Sequence, residues 1–192
     1  MKLFLSTLLI AVFLLTACEE TPISTGPDIL SPFVALRYDG VNNDAPLLPA
    51  ATYEAAIKFP KEDIDDLRGG KLVEVYYFVK DLPTSSTIKI YQKTVSGDPD
   101  ELVYSEVTTS DLLPRGWNKH ILKSSVEITD EDLWIAVKFT HSSQIGSIGC
   151  DRGPAVTNGD WLKDSADDLW IPLTQRAGIN INWNIRGVVD PG

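Results

Sequence analysis

The sequence predicts an all-β chain that forms a single antiparallel β-sandwich of the jelly-roll type, with one short helix. Apolar and polar residues alternate with a period of two in several segments between residues 33 and 192. Clusters of Gly, Pro, Asp and Ser separate these segments, and no long helical pattern lies between them. With 43% hydrophobic and 23% charged residues in 192, the composition is typical of a folded globular protein.

The first 18 residues have the pattern of a bacterial lipoprotein precursor. Lys2 precedes an apolar run, residues 3–15, that is too short to span a bilayer permanently. The segment Leu15-Thr16-Ala17-Cys18 resembles the lipobox of bacterial lipoproteins. The resemblance implies a signal peptide at residues 1–17 and a palmitate-bearing Cys18 as the first mature residue. An ordinary cleaved signal with an incidental Cys is the alternative.

Residues 18–32 are expected to be the lipidated Cys18 and a flexible tether. Three prolines and a glycine follow Glu19 and Glu20 in this stretch, and it has no hydrophobic period. A Pro-rich chain extends by about 3.1 Å per residue, so the tether could hold the domain about 40 Å from the membrane. Acidic residues directly after the lipidated Cys resemble the surface-export signal of Bacteroidetes lipoproteins. This resemblance implies a lipid-anchored protein on the outer face of the outer membrane.

The domain from residue 33 to residue 192 is predicted to consist almost entirely of strands. Alternation is best defined over residues 72–80, 87–95, 133–139 and 179–186. The last of these places Asn180, Asn182, Asn184 and Arg186 opposite an apolar row, which predicts a half-buried strand with its polar face in water. Shorter strands are predicted over residues 34–38, 53–59, 102–107, 117–122, 160–162 and 169–173. The short helix, of one or two turns with a glycine C-cap, is predicted over residues 60–70.

Five short segments carry a family resemblance. They are Tyr53–Pro60, Gly69–Leu72, Glu131–Ala136, Gly149–Val156 and Asn182–Arg186. In this order they resemble a recurrent extracellular module of Bacteroidetes, an adhesin-like β-sandwich found with secreted peptidases and surface adhesins. The resemblance covers residues 34–189 and implies adhesion or ligand binding rather than catalysis. It brings no catalytic residues to this chain.

Charge and cysteine content exclude several classes of function. The chain has 17 Lys and Arg against 27 Asp and Glu, for a net charge of −10. Nucleic acid is therefore not an expected partner, because binding to its phosphates needs a basic surface. Two cysteines are too few for a multi-thiolate zinc site or a disulfide framework.

The sequence predicts a protein that is not an enzyme. Cys150 and His141, nine residues apart, are the minimum for a thiol nucleophile with a base, and a hydrolase that uses them is one alternative function. We expect Cys150 instead to pack as a small hydrophobe beside a Gly-rich turn. The acidic clusters fall in predicted turns, where they favour solubility over glycosidase chemistry.

The five tryptophans provide the main candidates for ligand binding. Trp161 and Trp170 flank an acidic loop and are expected to be the most exposed, and tryptophan rings stack on sugar faces. Trp134 is either packed against a second face or an exposed platform. Asp151 and Arg152, in the Gly-rich segment 146–154, are further candidates, with a tight crossover as the alternative.

One metal site is considered. Asp39, Asn43 and Asp44 offer oxygens from a single loop, which suits a structural calcium ion, and a solvated turn is the alternative. No other cofactor is expected. The prediction is a cell-surface lipoprotein that binds host protein or glycan, and an accessory or inhibitory partner of a secreted peptidase is the alternative.

Overall fold

Two antiparallel sheets form the architecture in a computed structural model that describes residues 26–192. The predicted signal peptide and Cys18 lie outside the described residues. The strands are β1 (Val34–Leu36), β2 (Thr52–Phe59), β3 (Lys71–Val79), β4 (Ser85–Val95), β5 (Asp98–Val107), β6 (Gly116–Glu127), β7 (Leu133–Thr140), β8 (Trp161–Asp164), β9 (Trp170–Pro172) and β10 (Ile185–Asp190). One sheet has the strand order β1-β10-β3-β6, and the other has the order β5-β4-β7-β2-β8-β9. The predicted all-β sandwich is therefore confirmed.

The core lies between the two sheets, where alternate residues of each strand meet. Ile57, Val75, Tyr77, Ile135 and Val137 are each at most 1% exposed. Burying one such side chain stabilises the fold by about 1.5–3 kcal/mol. The alternation that predicted residues 72–80 and 133–139 as strands is thus explained by an apolar face that packs against the opposite sheet.

Gly187 on β10 marks a place where the two sheets approach closely. A Cβ atom at this position would lie 2.5 Å from Ile135 Cδ1 of the opposite sheet and 2.8 Å from Leu72 Cδ1. Because both distances are shorter than a van der Waals contact, only glycine fits here without displacing the core.

Helical structure is limited to short segments. The predicted turns over residues 60–70 are two 3₁₀ helices, Lys61–Asp63 and Asp65–Leu67, and Gly69 follows with a φ of +85°. A third 3₁₀ helix spans Thr109–Asp111. The α-helix α1 (Leu173–Ala177) begins where the sequence predicted the end of a strand. In the described part of the chain, no helix is long and apolar enough to cross a membrane.

The segment before β10 differs from the prediction. Regular strand structure begins only at Ile185, and three of the four residues of the polar row do not face water: Asn182, Asn184 and Arg186 are buried at 2%, 0% and 2% exposure, whereas Asn180 is exposed. Loops around residues 39–40 and 150–154 pack over this face and provide hydrogen-bond partners. The prediction of a solvated polar face is therefore wrong for these three residues, because alternation in one strand carries no information about a loop that covers it.

An ion pair occupies the centre of this covered face. Arg186 Nε lies 3.0 Å from Asp39 Oδ1, and Arg186 Nη2 lies 2.9 Å from Asp39 Oδ2. The Asn184 amide donates to the same carboxylate at 2.7 Å, and the Trp117 ring lies 4.3 Å from the guanidinium carbon. Burial raises the pKa of the Asp39 carboxyl, and the hydrogen bonds from Arg186 and Asn184 reduce this increase. The pair ties the loop at residue 39 to β10.

Removing the charge of Asp39 is expected to destabilise the fold strongly. The variant Asp39→Asn would remove the carboxylate that pairs with the buried Arg186 guanidinium, and breaking a buried pair in this way costs about 3–5 kcal/mol. Asp44→Asn is the matched control, because the Asp44 side chain is 57% exposed in its pair with Lys80 and such pairs contribute about 0–1 kcal/mol. Urea denaturation measures both free energies of unfolding. Equal losses in the two variants would contradict a structural role for the buried pair.

Candidate functional site

Three tryptophans from separate strands come together on the outer face of the six-stranded sheet. The ring of Trp134 on β7 lies 5.1 Å from that of Trp161 on β8 and 5.7 Å from that of Trp170 on β9. Tyr91 on β4 lies 6.3 Å from Trp170 in an edge-on arrangement. We call Tyr91, Trp134, Trp161 and Trp170 the tryptophan face.

Two alanines make room for these rings. Ala56 on β2 pairs with Ala136 on β7 and with Trp161 on β8, so small side chains occupy the middle of the outer face. Trp134 and Trp170 form a buried cluster with both alanines, and Trp161 packs against it. Because successive strand residues point to opposite faces, this cluster is separate from the core that contains Ile57.

The four rings of the tryptophan face differ in exposure. Trp134 is fully buried and Trp170 is 9% exposed, whereas Trp161 and Tyr91 are half-buried. The expectation that Trp170 is exposed is therefore wrong, because its ring folds over the sheet onto Trp134 and Tyr91. Of the two alternatives considered for Trp134, a packed ring or an exposed platform, the structure shows the packed ring. A ligand on this face would touch Trp161 and Tyr91, and the two buried rings would support them.

Lysines paired with carboxylates border the tryptophan face. Lys58 Nζ lies 3.0 Å from Asp132 Oδ2 and 5.4 Å from the centre of the Trp134 ring. Burial opposes ionisation of Asp132, but hydrogen bonds from Thr94, Lys58 and a backbone N–H lower its pKa. Lys163 forms a further pair with Asp168 at 2.7 Å, at the edge of the sheet.

A second polar group connects β2 and β4 beside the same rings. Lys89 Nζ donates to Glu54 Oε1 at 2.7 Å, and the Tyr91 hydroxyl donates to Glu54 Oε2 at 2.7 Å. Burial, together with the neighbouring Glu54 carboxylate, raises the pKa of Tyr91, so its hydroxyl stays protonated at neutral pH. These bonds hold the Tyr91 ring in one orientation.

The structure also joins two of the loops that the sequence singled out. Arg152 Nε donates to Asn43 Oδ1 at 2.6 Å, and the Asn43 N–H donates to the Cys150 carbonyl at 2.8 Å. These loops border a cleft of about 410 Å³. Its lining consists of Asn43, Asp44, Ala45, Pro46, Cys150, Asp151, Arg152, Ile179 and Ile181. The tryptophan face does not contribute to it, so the candidate ligand residues belong to two surfaces.

Asp151 acts as an anchor of this loop. It is 7% exposed, and its carboxylate accepts hydrogen bonds from the N–H groups of Gly40, Gly153 and Asn182 at 2.8–3.0 Å. The Asn182 side-chain amide donates a fourth, at 2.9 Å. Arg152, by contrast, is exposed. Of the two predicted contact residues, therefore, only Arg152 is presented to solvent.

The residues proposed for calcium have other partners. Asp39 is paired with Arg186, and Asp44 with Lys80. Asn43 accepts from Arg152. Within residues 26–192, no group of three or more His, Cys, Asp and Glu side chains is placed to hold a metal ion. The calcium site stays a prediction from the sequence.

Cys150 and His141 are both buried, at 4% and 3% exposure. Burial raises the pKa of the Cys150 thiol to about 12, so the thiol is protonated at neutral pH. Burial also lowers the pKa of His141, whose Nε2 lies 2.8 Å from Ser147 Oγ in a hydrogen bond. His141 thus bonds to a hydroxyl that the sequence analysis did not consider, and the thiol lacks the environment that activates a nucleophile.

Two parts of these surfaces were missed from the sequence. Alternation places Tyr91 on the face of its strand opposite Ile88 and Ile90, but it was not named as a candidate although it belongs to the tryptophan face. Ile179 and Ile181 belong to the apolar row of residues 179–186, and they also line the cleft. No local pattern indicates that second role, because it depends on loops from distant parts of the chain.

Comparisons with known proteins identify the fold but no family. No family model matches the chain, and neither does any curated protein sequence. It is similar to a structure of the clostridial cysteine protease Cwp84 after propeptide cleavage, with a TM-score of 0.59 and 11% identity over 85% of this chain. It is also similar to the cysteine protease and lectin-like domains of Cwp84, a surface layer associated protein of Clostridium difficile, with a TM-score of 0.50 and 11% identity over 78%. The chain spans 41% and 36% of these two chains.

Cys150 is expected to resist alkylation in the native protein. With a pKa near 12 the thiolate fraction is very small, and the side chain is covered. In a Cys18→Ala variant, iodoacetamide at pH 8 should label Cys150 at least about a hundredfold more slowly than in urea, as followed by mass spectrometry. Labelling of the native protein as fast as in urea would instead support the alternative function of a hydrolase that uses Cys150 and His141.

The raised pKa of Cys150 also predicts how the free energy of unfolding depends on pH. The ordinary thiol pKa is 9.0, and the folded value is about 12. Between these values the unfolded state binds fewer protons than the native state, so the free energy of unfolding should fall as the pH rises above 9. In the variant Cys150→Ala, the free energy of unfolding should fall less steeply over the same pH range.

Proposed function

We propose that this protein is a non-catalytic binding module at the cell surface, and that it binds a glycan on the tryptophan face. The observation that carries the proposal is the collection of four aromatic rings on the outer side of a sheet. A sandwich needs an apolar inner face for its core, and here that face is complete without them. The outer rings are thus available for another role.

The chemistry of this face suits a sugar ring. Trp161 and Tyr91 are half-buried, so each offers part of a flat apolar surface to a ligand. Lys58, Lys89 and Lys163 border the rings, and they can donate hydrogen bonds to hydroxyl groups. Because Trp134 and Trp170 are immobilised beneath, the face is pre-organised and loses little conformational entropy on binding.

The comparisons support the proposal at a coarse level. One similar structure includes a lectin-like domain and belongs to a surface layer associated protein. The location is proposed from the resemblance of residues 15–18 to a lipobox: Cys18 would be lipidated, and the mature chain would be anchored in the outer membrane facing outward. Host protein is the other target that the sequence suggests, and the glycan array described below tests the glycan form of the proposal.

A second candidate function is an accessory or inhibitory role towards a secreted peptidase. The observation that favours it is the cysteine protease present in both similar chains, of which this fold accounts for about two fifths. Such a partner would co-purify with the protein and would not depend on Trp161.

Replacing Cys18 should release the protein from the membrane. Several acyl chains on one residue anchor a protein firmly, since each buried methylene contributes about 0.8 kcal/mol. Cys18→Ala should abolish incorporation of labelled palmitate in cells. Retention of the label by this variant would exclude Cys18 as the lipidation site.

Truncating Trp161 should weaken glycan binding while the fold persists. We expect Trp161→Ala to lower affinity at least about tenfold on a glycan array, which corresponds to about 1.4 kcal/mol. Because the ring is half-buried, the loss of stability should stay near 1–2 kcal/mol. Trp161→Phe, which keeps a smaller ring, should retain part of the affinity.

Tyr76→Ala is the control for this experiment. Tyr76 is also a half-buried aromatic residue, but it lies on β3 of the opposite sheet. Both variants are checked by circular dichroism and thermal unfolding. Binding that is lost equally in the two variants, or unchanged in Trp161→Ala, would overturn the assignment to the tryptophan face. Captured protein in place of glycan, independent of Trp161, would favour the peptidase partner.

A further inference from the structure

We propose that the cleft between residues 43–46 and 150–152 binds the C-terminal carboxylate of a peptide whose last side chain is aliphatic. This site is distinct from the tryptophan face, and it extends the binding function proposed above to a second ligand. Its volume of about 410 Å³ lies within the range of small-ligand sites.

Arg152 is already oriented for carboxylate recognition. Its Nε donates to Asn43 Oδ1 at 2.6 Å, which leaves the two terminal nitrogens of the guanidinium for a ligand. Asn43 is itself held by a backbone hydrogen bond to Cys150. Among residues 26–192, Arg152 forms no other hydrogen bond and no ion pair. A guanidinium in this state can bind both oxygens of a carboxylate at once.

The loop that carries Arg152 is fixed by the buried residue next to it. The Asp151 carboxylate accepts hydrogen bonds from the backbone N–H groups of Gly40 and Asn182, and from that of Gly153 within its own loop. Three separate parts of the chain are thereby held together. Arg152 thus extends from a rigid base, so a ligand would not have to order the loop when it binds.

The unpaired charge that the cleft presents to solvent is positive. Asp44 on the rim is paired with Lys80, and the Asp151 carboxylate is buried beneath four neutral hydrogen-bond donors. Of the exposed charged groups that line the cleft in the described chain, Arg152 is the one without an ionic partner. An anionic group of the ligand would pair with it.

The remaining walls indicate what lies beside the anion. Ala45, Pro46, Ile179 and Ile181 are aliphatic, and Ile181 is 8% exposed. Aliphatic walls bury a Leu or Val side chain well, whereas a sugar binds best to an aromatic ring, and none lines this cleft. A carboxylate next to an aliphatic side chain is the chemistry of a peptide C-terminus.

Methyl NMR tests this site with small probes. The probes are N-acetyl-leucine, which has the free carboxylate, and N-acetyl-leucinamide, which lacks it. Titration of the full chain in detergent micelles, with labelled isoleucine methyl groups, should shift the Ile179 and Ile181 signals with the acid, with a dissociation constant in the millimolar range. The amide should bind at least about tenfold more weakly.

Variants separate recognition by Arg152 from a general effect of charge. Arg152→Gln should weaken binding of the acid at least about tenfold, and Arg152→Lys should give an intermediate loss because it cannot bind both oxygens. Asn43→Ala should also weaken binding, since the guanidinium loses its orientation. Arg115→Gln, at an exposed turn before β6, is the matched control and should bind as the wild type does.

The proposal is overturned if the amide shifts the methyl signals as strongly as the acid, or if Arg152→Gln binds normally. It is also overturned if neither probe produces shifts at about 50 mM. Stronger binding of glucuronate than of N-acetyl-leucine would assign the cleft to an acidic sugar instead. None of these results depends on Trp161. A negative result for the cleft would therefore not affect the test of glycan binding on the tryptophan face.

Discussion

The buried contact between Arg186 and Asp39 is the interaction on which the loop end of the sandwich depends. A guanidinium and a carboxylate removed from water are tolerated only when each satisfies the other, and here Asn184 and the Trp117 ring complete the surroundings. The pair fastens the loop at residue 39 to the four-stranded sheet. Asp151 then fastens the loop at residues 150–154 to the same region. The cleft above these bonds is therefore part of a rigid scaffold.

The second surface is built by a different physical device. On the outer face of the six-stranded sheet, Ala56 and Ala136 create a depression that large aromatic rings fill. The buried rings of Trp134 and Trp170 stabilise the sheet edge, and Trp161 and Tyr91 remain partly open to solvent. The same cluster therefore stabilises the sheet and exposes part of two aromatic rings to solvent. The aromatic surface and the cleft have no residue in common, so each can be changed without altering the lining of the other.

How far the sequence predicted these features varied with the range of the contacts. Period-two alternation predicted the sandwich because it reports directly on which residues face the other sheet. The sequence identified Trp134, Trp161 and Trp170 as candidate residues. It did not predict that their rings contact one another, because this contact depends on β7, β8 and β9 lying in one sheet. For the same reason Trp170 was expected in water and is buried. Asp151 and Arg152 were named together as contact candidates, but Arg152 is exposed whereas Asp151 beside it is a buried anchor.

By itself, the sequence determined the class of fold and the approximate strands, and it predicts a lipoprotein leader that ends at Cys18, outside the described residues. These properties depend on neighbouring residues: a period, a turn or a short motif. Only the tertiary structure decided that Asn182, Asn184 and Arg186 lie inside, that Asp39 pairs with an arginine, and that a cleft opens beside Arg152. Alternation specifies which side chains share a face of a strand. What covers that face is decided by loops that lie 31 and 147 residues away along the chain, and the desolvation of the polar groups on that face depends on this cover.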